Sequence, residues 1–481
     1  MSIRKPHRPI LFQFFAGLIF GGLIASLGFL LFKVAIKQLL PLHLLITTLL
    51  ATIFILILLS FLIFHPKFSP LIKIFATIFT LILLLSTTLA WQKYHSFVNF
   101  SEQIQVKDAK QLESYYLYVK KTSTYQKISD LSSQTLGIYL ETQAKNYQAA
   151  LEKLTAIISL NSQVFPDSNQ TYQALLNQSV SAILLSPLQK NLLEETASDF
   201  HDQVRLLYQI DFIVEQQPIT QQLDAAKPFN IFISGIDVSG PISTVSRSDV
   251  NMIATVNPKT KRILLTSIPR DFYVQLSGTT GYRDKLTHAG VYGINTSIQT
   301  LENLFHTKIH YFARVNFDSL VQLVDLIGGI DIVSDATFTK RHGHTRCYYY
   351  AGHNHLDGNC ALGYSRERFH YASGDRHRVR NQQDVLEAIV KKAFSSKKLL
   401  EDSAAIFDAT KDSLQTNFPT TQIFKLVNQQ LDNMSSWQIE KYSVNAMEFT
   451  HSYPHQRLYV MIPFQDTVDT ATAKINQLLK D

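Results

Sequence analysis

Leu, Ile, Phe and Ala dominate the first 92 residues, and from there to residue 481 polar and apolar positions mix as in a soluble protein. Within the first part, residues 10–32, 44–64 and 74–91 carry no charge. A helix needs roughly 20 apolar residues to cross the hydrocarbon core. The pattern therefore predicts three transmembrane helices in a membrane domain of residues 1–94. The turn His65-Pro66-Lys67-Phe68-Ser69-Pro70 joins the last two, and Trp91 and Tyr94 suit an interfacial aromatic belt. Gly17 and Gly21 have the small-xxx-small spacing that permits close helix approach. The first segment is too long for a cleaved signal peptide. Three spans place the N-terminus and the soluble region on opposite sides of the membrane.

Residues 95–225 are rich in Gln, Ser, Tyr and Leu. Strands are expected at 136–141 and 179–186, and amphipathic helices at 146–158 and 188–208. This reads as an accessory α+β domain without a catalytic constellation. A composition break runs from Gln216-Gln217-Pro218 to Lys227-Pro228. Beyond it, strands are predicted at 229–236, 250–256 and 262–268, with Asn257-Pro258-Lys259-Thr260 as the turn between the last two. Residues 317–327 have helical spacing, and Gly328-Gly329 ends that helix before a strand at 330–333. After Lys391, helices are expected near Ala404 and Gln422, strands near Gln438 and Leu458, and a closing helix from Val468. The fold class expected is a multi-pass α-helical membrane segment plus an α/β soluble region, with residues 226–481 forming an α-β-α sandwich.

Hydrophobic residues make up 46% and charged residues 17%, which excludes disorder over most of the chain. The net charge of +7 suits an anionic partner; lipid, pyrophosphate and nucleic acid all qualify. Two cysteines, Cys347 and Cys360, exclude a disulfide-dense scaffold and a four-cysteine zinc site. In an extracellular setting they would pair. His342, His344, His353 and His355 lie nearby, but their His-x-His spacing matches neither a zinc finger nor a helical His pair, so a surface insertion is expected.

The densest chemical signal lies between Tyr364 and Gln383, where Arg366, Arg368, Arg376, Arg378 and Arg380 face only Glu367 and Asp375. On a strand Arg366 and Arg368 would share a face. On a helix Arg378 and Gln382 would. Each guanidinium offers two parallel hydrogen bonds to phosphate oxygens, so several converging forks would hold a pyrophosphate. Asp237 and Asp249 sit at adjacent strand ends, placed to hold Mg²⁺, which takes one or two carboxylates plus substrate phosphates. Pro269-Arg270-Asp271 ends another strand. Val321, Leu323, Val324, Ile327 and the 386–389 helix are candidate linings of a lipid tunnel.

Ser246-Arg247-Ser248-Asp249, Ile268-Pro269-Arg270-Asp271, Asp325 to Ile330, Arg366-Glu367-Arg368 and Asp375 to Gln383 resemble, in that order, the motifs of the LytR-CpsA-Psr family. Three spans and an intervening module resemble its capsule-assembly branch. The resemblance implies an extracellular enzyme of the cell membrane. It would transfer a polyprenyl pyrophosphate-linked capsular polysaccharide onto peptidoglycan, with Mg²⁺ as cofactor. It also implies roles: Asp237 and Asp249 as the metal carboxylates, and Asp249, Arg270 and Asp271 as catalytic residues. Arg247, Arg270, Lys285, Arg366, Arg368, Arg378 and Gln382 would bind pyrophosphate. Other capsule-assembly membrane proteins are implied as partners. The chain departs from the family at Asn381, where many relatives carry an arginine; Arg380 would substitute.

Two other readings use the same sequence. A membrane-bound transcriptional regulator would need a basic DNA-recognition element on the cytoplasmic side. The segment before the first span and the turn between the second and third are too short for one, so no nucleic-acid partner is expected. A polyprenyl-pyrophosphate phosphatase would use the same residues and differ only in taking water as acceptor.

Overall fold

The computed structural model describes residues 8–36, 42–104, 109–139, 146–216, 223, 226–236, 242, 246–278, 283–342, 345–371, 374–396, 399, 414–453 and 456–481. It opens with α1 (Arg8–Ile36), α2 (Leu42–Phe64) and α3 (Pro70–Ile104). Within them Leu11–Ile36, Leu42–Phe64 and Pro70–Gln92 are long and apolar enough to cross a membrane. Many of their large apolar side chains face outward, which suits surroundings as apolar as the helices themselves. The Ser26 and Thr87 hydroxyls share a 2.8 Å hydrogen bond between α1 and α3. Close approach occurs at Gly22, where a Cβ would meet Leu84 at 3.6 Å. Gly17 and Gly21 have nothing within 4 Å, so the small-xxx-small expectation is corrected. Trp91 stacks on Tyr94 with ring centroids 5.2 Å apart.

Next come β1 (Ala109–Lys120), β2 (Thr135–Ile138), α4 (Tyr147–Ile157), β3 (Asn161–Val164), α5 (Ser168–Leu176), β4 (Ala182–Leu185), α6 (Pro187–Thr196), α7 (Phe200–Gln203) and β5 (Val204–Gln216). The strands form one sheet in the order β3-β2-β4-β1-β5. The helix expected over 188–208 is corrected. α6 starts on a Ser186/Gln189 capping box with Pro187 at its first position, but it stops at Thr196. From Val204 the chain pairs antiparallel with β1, Lys120 opposite Val204 and Ala109 opposite Gln216. That long ladder overrides the helical spacing of the leucines.

The remaining soluble part is mixed α/β. Its first strands are β6 (Phe229–Ile236), β7 (Ser248–Asn257) and β8 (Arg262–Ile268), followed by the short pair β9 (Tyr273–Val274) and β10 (Asp284–Lys285). A 3₁₀ turn, Leu286–Tyr292, leads into α8 (Ile294–Phe305), β11 (Tyr311–Asn316) and α9 (Phe317–Leu326). Then come β12 (Ile330–Ser334), β13 (Phe338–His342), β14 (Thr345–Tyr349), β15 (Gly352–Leu356), α10 (Gly358–Ser365) and α11 (Asp375–Ser395). The C-terminal elements are β16 (Leu414–Thr416), α12 (Thr420–Asp432), β17 (Gln438–Ser443), the hairpin β18 (Ala446–Tyr453) and β19 (Gln456–Pro463), and α13 (Gln465–Lys480). The helix expected near Ala404 falls outside the described residues.

A six-stranded sheet, β16-β11-β6-β7-β8-β17, carries this part. β6 runs parallel to β11, and β8 to β17. Alternation along its strands builds a core on each face. Phe232, Ile253 and Leu264 pack with Leu301 of α8 and Ile475 of α13. Met252, Ala254 and Leu265 pack with Leu386, Val390 and Phe394 of α11. Gln383 pins α11 to the sheet by donating to the carbonyls of Leu265 and Tyr442 at 3.0 and 2.8 Å. The Cys347–Cys360 disulfide, with Cα atoms 5.5 Å apart, ties β14 to α10.

Candidate functional site

β6 and β7 pair from Phe229 opposite Val256 to Gly235 opposite Val250, and then Ile236 faces Ser248. The pairing skips Asp249. Such a bulge re-aims the extra side chain, and Asp249 turns into a cavity beneath α11. Gly235 is required here, since a Cβ would stand 2.8 Å from that of Val250.

β8 delivers Arg270 to the same place. Its NH1 lies 3.1 Å from Asp249 Oδ1, and its Nε lies 3.5 Å from Asp271 Oδ2. The backbone around it is fixed by the Thr287 amide, which donates to the Arg270 carbonyl at 2.8 Å. Thr287 Oγ1 also donates to Asp249 Oδ1 at 3.3 Å. Behind Asp271 lies Lys285, whose side chain is 1% exposed. Its Nζ is 3.3 Å from Asp271 Oδ1 and forms an ion pair with Glu195 of α6. Glu195 stands 3.8 Å from Arg247 NH1 and 3.8 Å from His288 Nε2. Charges therefore alternate in sign from α6 to the cavity: Glu195, Lys285, Asp271, Arg270, Asp249.

Arg366 and Arg368 follow α10 in a turn, which corrects the expected strand. Glu367 organises this turn. Its buried Oε1 accepts the amides of Arg368, Phe369 and His370 at 2.9, 2.6 and 3.1 Å. Lys340 Nζ lies 2.9 Å from Glu367 Oε2 and donates to the Arg366 carbonyl at 3.0 Å. With Glu367 drawn inward, the flanking arginines turn to the cavity. The Arg366 guanidinium lies 4.3 Å from the Phe317 ring centroid, and that of Arg368 lies 4.7 Å from Phe369. Stacking of this kind fixes the fork without using its donors.

α11 supplies the roof. Arg378, Gln382, Leu386 and Ile389 share one helical face over the cavity. Its volume is about 440 Å³. Asp249, Arg270, Lys340, Arg366, Arg368, Arg378 and Gln382 make its polar part, while Ile233, Val250, Met252, Val315, Leu320, Leu362, Val385, Leu386 and Ile389 make the apolar part. Four arginines and a lysine against one carboxylate favour an anion, and the apolar wall favours a hydrocarbon joined to it.

Asp249, Arg270, Arg366, Arg368, Arg378 and Gln382 all line the cavity. Arg247, Asp271 and Lys285 stand behind it in the charge chain and do not line it. Asp237 lies outside the described residues. Arg380 does not replace the arginine absent at 381: it faces a different cleft. Asn381 is buried and donates to the Tyr364 carbonyl at 3.1 Å. The tunnel lining is corrected too. Leu386 and Ile389 line the cavity, but α9 contributes Phe317 and Leu320, while Val324 and Ile327 lie deeper, in the core under β12 that backs the cavity wall. Lys340 and Phe317 in the cavity wall, and Glu195 behind it, are participants that the motifs do not mark. Lys340 lies two residues after the buried Phe338 on one strand, a same-face signal. Nothing local marks Glu195.

Burial opposes a charge on His288, yet Asp284 Oδ1, 2.8 Å from Nδ1, and Glu195 outweigh it and raise the imidazole from 6.5 to about 9. Burial would raise Glu367, but Lys340, His370 and backbone amides hold it down, from 4.5 to about 2. A raised histidine stabilises fully below pH 6.5, and the contribution is lost as pH climbs through 9. A depressed carboxylate stabilises above pH 4.5, and the contribution is lost as pH falls towards 2. The thermal midpoint should therefore plateau between pH 4.5 and 6.5 and decline on both sides. His288→Gln should flatten the alkaline decline alone; an unchanged alkaline limb would remove His288 from this account.

The model of the LytR_cpsA_psr family matches residues 193–475. The polyisoprenyl-teichoic acid–peptidoglycan teichoic acid transferase TagU of Bacillus anthracis is 32% identical over 211 residues, or 43% of this chain and 66% of that protein. TagU of Enterococcus faecalis is 34% identical over 207 residues, or 42% and 66%. The chain thus spans 66% of the length of these curated relatives. The crystal structure of B. subtilis TagV aligns with a TM-score of 0.47 at 28% identity, over 53% of this chain and 98% of that one.

Proposed function

Since the chain belongs to the LytR-CpsA-Psr family, we propose that it is a membrane-anchored phosphotransferase that moves a polyprenyl pyrophosphate-linked glycan, capsular polysaccharide, onto peptidoglycan. The soluble part, an α-β-α sandwich with its accessory domain, works outside the cell, held by three membrane passes. The Cys347–Cys360 disulfide supports that side of the membrane, where disulfides persist. One observation carries the reading: Arg270, Arg366, Arg368 and Arg378, from three separate stretches of sequence, converge over an apolar cavity. That is the shape of a phosphate headgroup on a hydrocarbon tail. TagU of B. anthracis is named for a polyisoprenyl-linked donor and a peptidoglycan acceptor.

In the transfer, an acceptor hydroxyl oxygen attacks the glycan-linked phosphorus. The bridging P–O bond breaks, polyprenyl monophosphate leaves with the electron pair, and the hydroxyl proton passes to a phosphate oxygen of that leaving group. Such transfers depend on positioning and on charge neutralisation. The arginines hold both phosphates, Gln382 adds a neutral polar contact, and Asp271 orients Arg270 from behind. Mg²⁺ fits the oxygen donors at this site: Asp249 faces the cavity with Thr287 beside it, and Asp237 is twelve positions earlier. When bound, it neutralises phosphate charge.

The test is purified full-length protein given a polyprenyl pyrophosphate-linked oligosaccharide and peptidoglycan fragments. Mg²⁺-dependent release of polyprenyl monophosphate together with a phosphodiester-linked glycan–peptidoglycan product is expected. Release with water as the only acceptor would make the enzyme a phosphatase.

A further inference from the structure

α11 is a partition. Arg378, Gln382 and Leu386 face the arginine-lined cavity. Arg380, Gln383, Asp384 and Glu387, displaced around the same helix, face a second cleft of about 1010 Å³. The two share a rim at the end of β8, where Pro269 lines one and Arg270 the other. A transfer reaction must bring two substrates to one phosphorus. The first cavity has the chemistry of the lipid phosphate; the second opens beside it and is built differently.

The second cleft carries both signs of charge: Arg376, Arg380, Lys391 and Lys441 against Asp331, Asp335, Asp384 and Glu387. Much of this is neutralised internally. Lys441 Nζ lies 2.6 Å from Asp384 and 2.8 Å from Glu387, and Lys391 lies 2.6 Å from Glu387. Asp331 Oδ1 lies 2.7 Å from His355 Nδ1, and Arg376 donates to the Ala446 carbonyl at 3.0 Å with Glu448 at 3.9 Å, which leaves Arg380 and Asp335. Arg380 is exposed, and among the described residues it has no ion-pair partner. The Asp335 side chain is 73% exposed, and its one ion-pair contact among the described residues is His377 Nε2 at 3.8 Å. Arg380 and Asp335 both act electrostatically on His377, so they flank one stretch of wall. Apolar side chains such as Ile332, Val379 and Phe464 also line the cleft, but a lipid tail makes no use of its charged wall, and a polyphosphate donor would meet four carboxylates. A ligand bearing both a carboxylate and an ammonium group matches it.

We propose that this cleft seats the acceptor, the peptide-bearing strand of peptidoglycan, with a peptide carboxylate on Arg380 and an ammonium group on Asp335. The proposal rests on the transferase reading above. Its test uses full-length protein in detergent and soluble disaccharide-peptide fragments of peptidoglycan, titrated by calorimetry. Arg380→Glu and Asp335→Lys should each weaken fragment binding and raise the acceptor KM about tenfold or more, the worth of one charge-assisted hydrogen bond. Retention of polyprenyl phosphate should match the wild type. A disaccharide without peptide should bind more weakly and ignore both substitutions. Equal fragment affinity in wild type and variants, or no fragment binding by the wild type, overturns the proposal. So does a loss confined to the donor glycan, which would make the cleft a donor subsite. Fragment binding that the variants abolish, in a protein that transfers only to water, would keep the cleft and discard the transferase reading.

Discussion

Arg270→Ala should lower transfer about 10²- to 10³-fold, the usual loss when one preorganised donor is removed from a charge-stabilising site. Arg270 stands between Asp249 and Asp271 at 3.1 and 3.5 Å. In the proposed reaction, removing it deletes a phosphate donor and also leaves Asp249 facing the substrate phosphates without its counter-charge. The local backbone should survive, because the Thr287 amide bonds the Arg270 carbonyl, which alanine keeps. The ion pairs lost are partly exposed, so the stability change should be no more than about 2 kcal/mol. Arg270→Lys should fall between, retaining charge and losing the fork. Released polyprenyl monophosphate measures the first effect and thermal unfolding the second. Wild-type turnover in Arg270→Ala would remove it from the catalytic set.

Glu195→Ala should destabilise the protein by about 3 kcal/mol, the low end of the range for breaking a buried ion pair from one side. Lys285 is almost fully buried, and its cation is shared between Glu195 and Asp271. Without Glu195, Lys285 leans wholly on Asp271, which is then drawn from Arg270 Nε, 3.5 Å away. Transfer should fall as well, although Glu195 does not line the cavity. Glu195 also lies in the last turn of α6, where the helix dipole disfavours an acid. Its tertiary partners therefore account for its position. Glu195→Gln, which keeps an acceptor, should recover part of the stability. An unfolding midpoint and turnover unchanged in Glu195→Ala would uncouple α6 from the site.

The sequence carried much of this arrangement where chemistry is local. Unbroken apolar runs marked α1, α2 and α3. The Arg378/Gln382 spacing placed both on one face of α11, and the Arg366-Glu367-Arg368 cluster pointed to an anion site. Long-range packing was less legible. The helical spacing of leucines at 192, 193, 206 and 207 carries the expected helix into the first residues of β5, 204–208, and the pairing of β5 with β1, some ninety residues earlier, leaves no local mark. The role of Glu367, an acid that turns its arginine neighbours outward, comes from three backbone amides meeting one buried oxygen. Asp249 was placed at a strand end, but its aim into the cavity depends on a skipped pairing opposite Ile236. Lys285 looked like a pocket residue, yet it is occupied by Glu195 from a segment read as siteless.

The central claim is that separate arginines grip one phosphate headgroup above an apolar cavity. Native mass spectrometry of the protein purified from membranes measures this directly. A bound species with the mass of a polyprenyl phosphate or pyrophosphate is expected in the wild type, and it should be absent from Arg368→Ala protein that unfolds at the wild-type temperature. Equal lipid occupancy in the two, or none in either after extraction in mild detergent, would contradict the account.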